Sequence, residues 1–316
     1  MSPISLLALL TLIFFSVPSN PLLIAQNQNT DEGVVKLHAR LVNLNVSITD
    51  RRGHSVSKLG REDFLISENG VRQTIVHFEP INAPVNLVLL LDLSGSLGGK
   101  LDSLKRAAKK FIDSLKEKDR IAVGVFTSRF NLVSGFTSDR KLLKKRIAQL
   151  ERTDGDTALY DAAWTAFDLL SEIKEARKAL VVLTDGVDSS FRPDEQGSKH
   201  TFEELIMRAV EEDATVYPIY FDTESESGGH YSSEAFSMAR KQLQALADDT
   251  GGTRFSASRA EDLDGVYQQV IAELHSLYSM SYAADDTRKD GRWRKINVKV
   301  NREGVVAKTK RGYYAK

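Results

Sequence analysis

The segment Leu87-Val88-Leu89-Leu90-Leu91, followed at once by Asp92-Leu93-Ser94-Gly95-Ser96, limits the fold more than any other stretch of the chain. Five successive apolar residues have no polar face to turn to water, so as a strand they need cover on both sides. A parallel sheet flanked by helices supplies that cover. The following sequence has the matching rhythm. Leu101, Leu104, Ala108, Phe111, Ile112 and Leu115 recur at helical spacing, and residues 121–126 read as the next strand. Residues 131–136 read as an antiparallel neighbour, and 142–150 and 158–170 as helices. Residues 179–183 form another buried strand, ending at Thr184-Asp185-Gly186. A helix over 202–210, a strand over 216–221 and a helix over 236–247 stopped by Gly251-Gly252 come next. A short strand at 253–255 and a last helix over 260–277 complete the series. Repeated strand–helix units predict a doubly wound, mainly parallel α/β domain over residues 83–278.

On either side the pattern changes. Val35, Leu37, Ala39 and Leu41, then Leu44, Val46 and Ile48, alternate with one slip near Asn43, which predicts a half-buried strand with a bulge or bend there. Glu68-Asn69-Gly70 between two apolar stretches is a hairpin signal, because Asn-Gly tolerates positive φ. After residue 278, residues 293–300 alternate, with Trp293, Ile296, Val298 and Val300 set against Arg294, Lys299 and Asn301, and read as a further strand; residues 305–310 and 312–314 suggest two more. A two-stranded ribbon is marginal in water. Residues 34–82, an Ig-like β segment, and residues 279–316 are therefore expected to build one small β-sandwich in which the α/β domain is inserted.

Charge and composition remove several functions. Lys and Arg number 43, as do Asp and Glu, so the basic excess of a nucleic-acid binder is absent over the chain as a whole. Two local basic clusters, Lys105-Arg106 with Lys109-Lys110 and Lys141 with Lys144-Lys145-Arg146, fall on helical patterns and read as solvated helix faces. No cysteine is present, which excludes disulfides, thiolate metal sites, a cysteine nucleophile and a lipoprotein anchor. The first thirty residues carry no charge, and the apolar run over 4–17 ends in Pro18-Ser19-Asn20-Pro21. That length fits a secretory signal over residues 1–25, with Ala25 the last residue removed and the mature protein secreted or periplasmic. An uncleaved membrane anchor is the alternative.

Ligands of open α/β sheets bind beyond the carboxyl ends of the strands. Three polar loops fall at such ends: Asp92 to Ser96, Asp154-Gly155-Asp156-Thr157, and Thr184-Asp185-Gly186. Here the sequence resembles the von Willebrand factor type A (VWA) family over residues 86–277. Asp92, Ser94 and Ser96 match its Asp-x-Ser-x-Ser motif, Thr157 its threonine before a helix, and Asp185 its aspartate after the fourth strand. The flanks, with Gly60-Arg61-Glu62-Asp63-Phe64 and Arg311-Gly312-Tyr313-Tyr314, look like secreted bacterial proteins of a VWA-related group. The resemblance implies a metal-ion-dependent adhesion site (MIDAS), with Asp92, Ser94, Ser96, Thr157 and Asp185 around one divalent cation. It also implies that the two aspartates act mainly through bound waters. Neutral hydroxyl donors leave a hard ion such as Mg²⁺ or Mn²⁺ electron-poor; Ca²⁺ is the further alternative, though it takes more oxygens than are counted in these loops. An Asp or Glu carboxylate of a partner protein is the expected ligand, with no small-molecule substrate, no nucleic acid, and membrane contact only through an uncleaved N-terminus.

Simpler roles compete for the same residues. Asp92 and Ser94 are able to cap the following helix, Thr157 its own, and Asp185-Gly186 to form an ordinary turn. Asp154 and Asp156 read as supporting or loop-capping groups. The six histidines lack metal-ligand spacing, and Asn45-Val46-Ser47 is a glycosylation pattern inside a strand. Catalysis is disfavoured. A phosphotransferase starting from Asp92 needs a second carboxylate where Ser94 stands, and no histidine lies in the three loops to activate a serine. A structural part of an envelope complex is the remaining alternative to a binding module. The loops over 188–200 and 222–233 should rim the site, with a disordered connector the alternative for 222–233.

Overall fold

The computed structural model describes residues 40–316, apart from 52–54, 80–83, 154, 175–176, 193 and 287. The expected signal segment and the first half of the first strand pattern lie outside the described residues.

The central sheet follows from the buried runs. Its strands are β5 (Val85–Asp92), β6 (Arg120–Phe126), β7 (Phe130–Thr137), β8 (Arg177–Thr184), β9 (Ala214–Phe221) and β10 (Phe255–Ala257), in the order β10-β9-β8-β5-β6-β7. Only β7 runs antiparallel, against β6. Alternation sorts the two faces. Leu87, Leu89 and Leu91 of β5, with Ala179, Val181 and Leu183 of β8, pack with helices α2 (Leu101–Ser114), α3 (Arg140–Ala148) and α7 (Leu263–Leu274). Val88, Leu90, Leu180 and Val182 pack on the other face with α4 (Leu159–Ser171), α5 (Phe202–Glu211) and α6 (Ser233–Thr250). A one-turn helix, α1 (Gly95–Gly98), follows β5 directly.

The flanking segments form two antiparallel sheets. The chain enters through β1 (Arg40–Asp50), β2 (Phe64–Glu68), β3 (Val71–Gln73) and β4 (Ile75–Glu79). It leaves through β11 (Leu277–Ala284), β12 (Trp293–Val300), β13 (Val305–Lys308) and β14 (Gly312–Tyr314). The sheet orders are β13-β1-β11-β4 and β14-β12-β2-β3, so each sheet mixes strands from both ends of the chain. Their shared core contains Val42, Leu44, Val46, Ile48, Phe64, Ile66, Tyr278, Met280, Tyr282, Ile296 and Val298. Phe64, Phe78 and Tyr278 meet there with ring centroids 5.2–5.9 Å apart. The Glu68 carboxylate, buried in this apolar layer, accepts hydrogen bonds from the Tyr282 hydroxyl at 2.6 Å and the Tyr313 hydroxyl at 2.9 Å. Asn69 and Gly70 turn the β2–β3 hairpin with φ of 48° and 86°.

Two expectations need correction. β1 pairs with β11 without interruption from Arg40↔Ala284 to Ser47↔Leu277, so no bulge lies near Asn43. Inward residues keep the parity 42, 44, 46, 48, and Leu41 points outward, 56% exposed. The register shift falls instead between Ser281 and Tyr282, where β11 pairs with β4. The last helix ends at Leu274 rather than 277, because Tyr278, Met280 and Tyr282 belong to a strand that begins at Leu277. The 278/279 boundary expected from sequence thus falls inside β11.

Candidate functional site

Sheet order decides where the loops meet. The chain runs outward from β5 to β6 and β7, then returns to β8 on the other side of β5, so β5 and β8 flank the point at which crossovers diverge. Leu91 is in register with Leu183, which sets Asp92 beside Thr184 and just before Asp185. Both aspartates are buried, Asp92 fully and Asp185 to 4% exposure. One Asp92 oxygen accepts from the Ser94 amide at 2.9 Å and the other from the Thr184 hydroxyl at 2.7 Å. Asp185 accepts from the Val187 amide at 3.2 Å and from the Thr223 hydroxyl, just past β9, at 2.8 Å. Three adjacent strand ends are thereby tied into one polar layer.

The electrostatics of that layer are unfavourable on their own. Burial first, and the negative charge of Asp185 second, push the Asp92 carboxyl up to about 7; hydrogen bonds from Ser94 and Thr184 oppose the rise without cancelling it. A carboxyl whose folded value is raised holds its proton more tightly when folded, so its contribution to stability declines as pH rises from about 4 toward about 7. Two dry, adjacent carboxylates are the arrangement a divalent cation relieves.

Thr157 is held by the loops after β6 and β8. The Ala158 amide donates to the Thr127 carbonyl, just past β6, at 2.9 Å. The Thr157 amide donates to the Ser189 hydroxyl at 2.9 Å, and the Thr157 carbonyl accepts from the Ser189 amide at 2.8 Å. Its loop therefore spans from the end of β6 to the loop after β8, and β5 lies between those two strands. Among the described residues Thr157 does not cap α4. The amides of Tyr160 and Asp161 are taken instead by the Asp188 carboxylate at 3.3 Å and the Ser198 hydroxyl at 3.0 Å. Ser94 sits at the N-cap of α1 without a side-chain capping bond. Ser96 lies in the turn of α1, and its side chain is outside the described part of the structure.

The rim is built from the loops after β8 and β9. Asp188, fully buried, also accepts from the Ser190 and Ser198 amides at 2.9 Å and the Ser198 hydroxyl at 2.6 Å. The Tyr231 hydroxyl joins Ser189 at 3.0 Å to Glu195, which pairs with His230 at 2.8 Å and Arg192 at 2.9 Å. Asp156 accepts from the Gln196 amide at 2.9 Å and so ties two loops together. Thr184, Asp188, Ser189, Ser198 and Thr223 carry much of this scaffolding. Thr184, Asp188, Ser189 and Thr223 lie at or just beyond the end of a buried strand, and Ser198 lies farther along the loop after β8.

The donors that gather here are carboxylate and hydroxyl oxygens, suited to a hard cation. Among the described residues no group of three or more His, Cys, Asp or Glu side chains is disposed to hold a metal. The five expected ligands include only two carboxylates and do not form such a group.

Residues 87–187 match the family model of the von Willebrand factor type A domain. An uncharacterized protein of Synechocystis sp. is 36% identical over 107 residues, covering 33% of this chain and 25% of that protein, so the chain spans about a quarter of the relative it matches. Among solved structures, a von Willebrand factor type A protein from Catenulispora acidiphila is similar at a TM-score of 0.49 and 14% identity, covering 89% of this chain and 74% of the other. The conserved hypothetical protein BatB from Bacteroides thetaiotaomicron gives 0.46 and 16%, covering 59% and 97%. The matched segment, residues 87–187, holds β6, β8 and most of β5 with all three strand-end loops, and it is this segment that is similar to the von Willebrand factor type A domain.

Proposed function

We propose that the chain is an exported, non-catalytic protein-binding module whose MIDAS cation, Mg²⁺ or Mn²⁺, receives an Asp or Glu carboxylate from a partner protein. The hydroxyls of Ser94, Ser96 and Thr157 and the carboxylates of Asp92 and Asp185 would hold the ion. Bound, it supplies a Lewis-acidic position for an incoming anion. The observation that carries the reading is the buried pair Asp92 and Asp185 at neighbouring strand ends, costly without a cation and cross-braced by Thr184 and Thr223. The family match supports the protein-binding role.

Calorimetric titration with Mg²⁺, Mn²⁺ and Ca²⁺, run beside thermal melts with and without chelator, tests the ion. Capture of partners from native envelope, again with and without chelator, tests the role. Binding of Mg²⁺ or Mn²⁺ together with chelator-sensitive capture is expected. A protein whose melt and heats ignore all three ions sinks the metal reading; capture that survives both chelator and Asp92→Asn sinks the carboxylate reading.

A further inference from the structure

The two sheets of the sandwich turn their outer faces to different surroundings. Outward residues of β13-β1-β11-β4 meet the α/β domain, where the Asn45 amide donates to the Thr215 hydroxyl at 3.5 Å and the Lys308 ammonium to the Thr253 hydroxyl at 3.0 Å. The sheet β14-β12-β2-β3 is different. Along β12, Arg294, Ile296 and Val298 are buried, so Trp293, Lys295, Asn297 and Lys299 point outward, and all four are exposed. Asn297 pairs with Ser67, and Ser67 with Arg72, which carries the same face across β2 to β3.

These four strands contain one carboxylate, Glu68, and it is buried in the core against Tyr282 and Tyr313. Among the described residues Lys295, Lys299 and Arg72 stand in no ion pair. In the turn before β12, Asp286 and Asp290 are taken by Arg288 and Arg294; the turn after it holds Arg302 beside Glu303, one of each sign. At the end of the row, Trp293 is 37% exposed and meets Tyr314 edge-on, with ring centroids 5.0 Å apart. A β-carbon on Gly312 would lie 2.5 and 2.6 Å from two atoms of the indole, so the ring is seated on the bare backbone of β14.

We propose that this face binds an acidic polysaccharide, a chain of sugar rings bearing carboxylates. The face is cationic without an outward carboxylate on its strands, so its complement is an anion. The chemistry of its other groups selects the kind. An indole offers a flat apolar surface to the C–H side of a sugar ring, and the Asn297 amide and Ser67 hydroxyl offer partners to sugar hydroxyls. Outward side chains along one strand repeat at about 7 Å. An extended chain laid along β12 therefore meets Trp293, Lys295, Asn297 and Lys299 in turn. An acidic polypeptide satisfies the cations but has no ring to place on the indole. A bilayer surface takes up an indole set among other apolar tips, whereas the next outward group along β12 is Lys295.

Calorimetric titration of the full chain with polygalacturonate tests this, with chelator present throughout so that the outcome is independent of the cation proposed above. Saturable binding that weakens with added salt is expected, with none to neutral dextran. Polyglutamate at equal carboxylate concentration should bind more weakly by about tenfold, the worth of the ring contact. Trp293→Ala should remove that preference. Lys295→Ala/Lys299→Ala, at exposed positions whose change should leave the melt unaltered, should weaken binding of both polyanions, and it decides the matter if Trp293→Ala fails to fold. Lys141→Ala/Lys145→Ala, exposed cations of α3, should bind as wild type does. Absence of binding overturns the inference, as does polyglutamate bound as tightly as polygalacturonate, or a loss that follows the α3 pair instead of the β12 pair. Phosphatidylglycerol vesicles bound more tightly than polygalacturonate through Lys295 and Lys299 would assign the face to lipid, and also overturn it.

Discussion

Asp92 is the residue on which most depends, and its substitution separates structural from functional cost. Asp92→Asn keeps an oxygen for the Ser94 amide and removes one of two buried like charges. About 1.4 kcal/mol accompanies each tenfold displacement of a protonation constant. In chelator at pH 8 the variant should therefore be more stable than wild type, by about 1–4 kcal/mol, while losing any stabilisation by Mg²⁺ or Mn²⁺. Denaturant midpoints with and without metal check both halves; a variant destabilised in chelator would mean that the negative pair is not the strained element. Asp119 behaves oppositely. It is fully buried at the far end of the sheet, and accepts from the Val85 amide at 3.0 Å, the Lys116 amide at 2.9 Å and His275 at 2.9 Å. Burial pushes its carboxyl up, but these donors together, His275 foremost, hold it below the usual 3.8. A lowered folded value gives stability that is present above the unfolded value and lost as pH falls through the folded one. Asp119→Asn should accordingly lower stability at pH 7, by about 1–3 kcal/mol, and flatten the acid side of the stability curve below about pH 4, measured as urea midpoint against pH.

At the scale of elements, the loop between β8 and the Asp188 turn depends on Gly186. Its φ is +79°, and a β-carbon there would meet Leu243 of α6 at 2.8 Å and Ala239 at 3.2 Å. Both neighbours are core residues of a long helix. Gly186→Ala should cost about 1–3 kcal/mol and, by displacing Asp185, weaken cation binding in the same calorimetric titration. Unchanged affinity would show that the loop adapts without moving its carboxylate. The helix starts follow a related logic. α5 has its own capping box in Thr201 and Glu204, whereas α4 borrows its caps from Asp188 and Ser198 of a distant loop. Local sequence reveals the first kind of cap and is blind to the second.

For the whole molecule, the sandwich is the part that no single segment builds. β1 pairs with β11 and β13, and β2 with β12, so residues 34–82 lack their neighbours without the tail. A fragment limited to residues 34–82 should give the far-ultraviolet spectrum of an unfolded chain, and a folded fragment would refute this dependence. Ile296→Ala, at a core position 5% exposed, should destabilise by about 2–5 kcal/mol.

Most elements and the three polar loops are legible residue by residue, because periodic burial is written locally. Leu87 to Leu91 cannot face water, and Asp92 must follow wherever that strand ends. The hairpin at Asn69-Gly70 was equally local, set by two positive φ angles. Which strand ends stand side by side is set by the packed sheet. Asp92 meets Thr184, and Asp185 meets Thr223, because β5, β8 and β9 are neighbours. Likewise the outward turn of Leu41 and the end of α7 at Leu274 follow from β1 and β11 pairing without a bulge. Partner choice between distant segments is settled by sheet order and the closing of a shared core, and neither leaves a period in the chain.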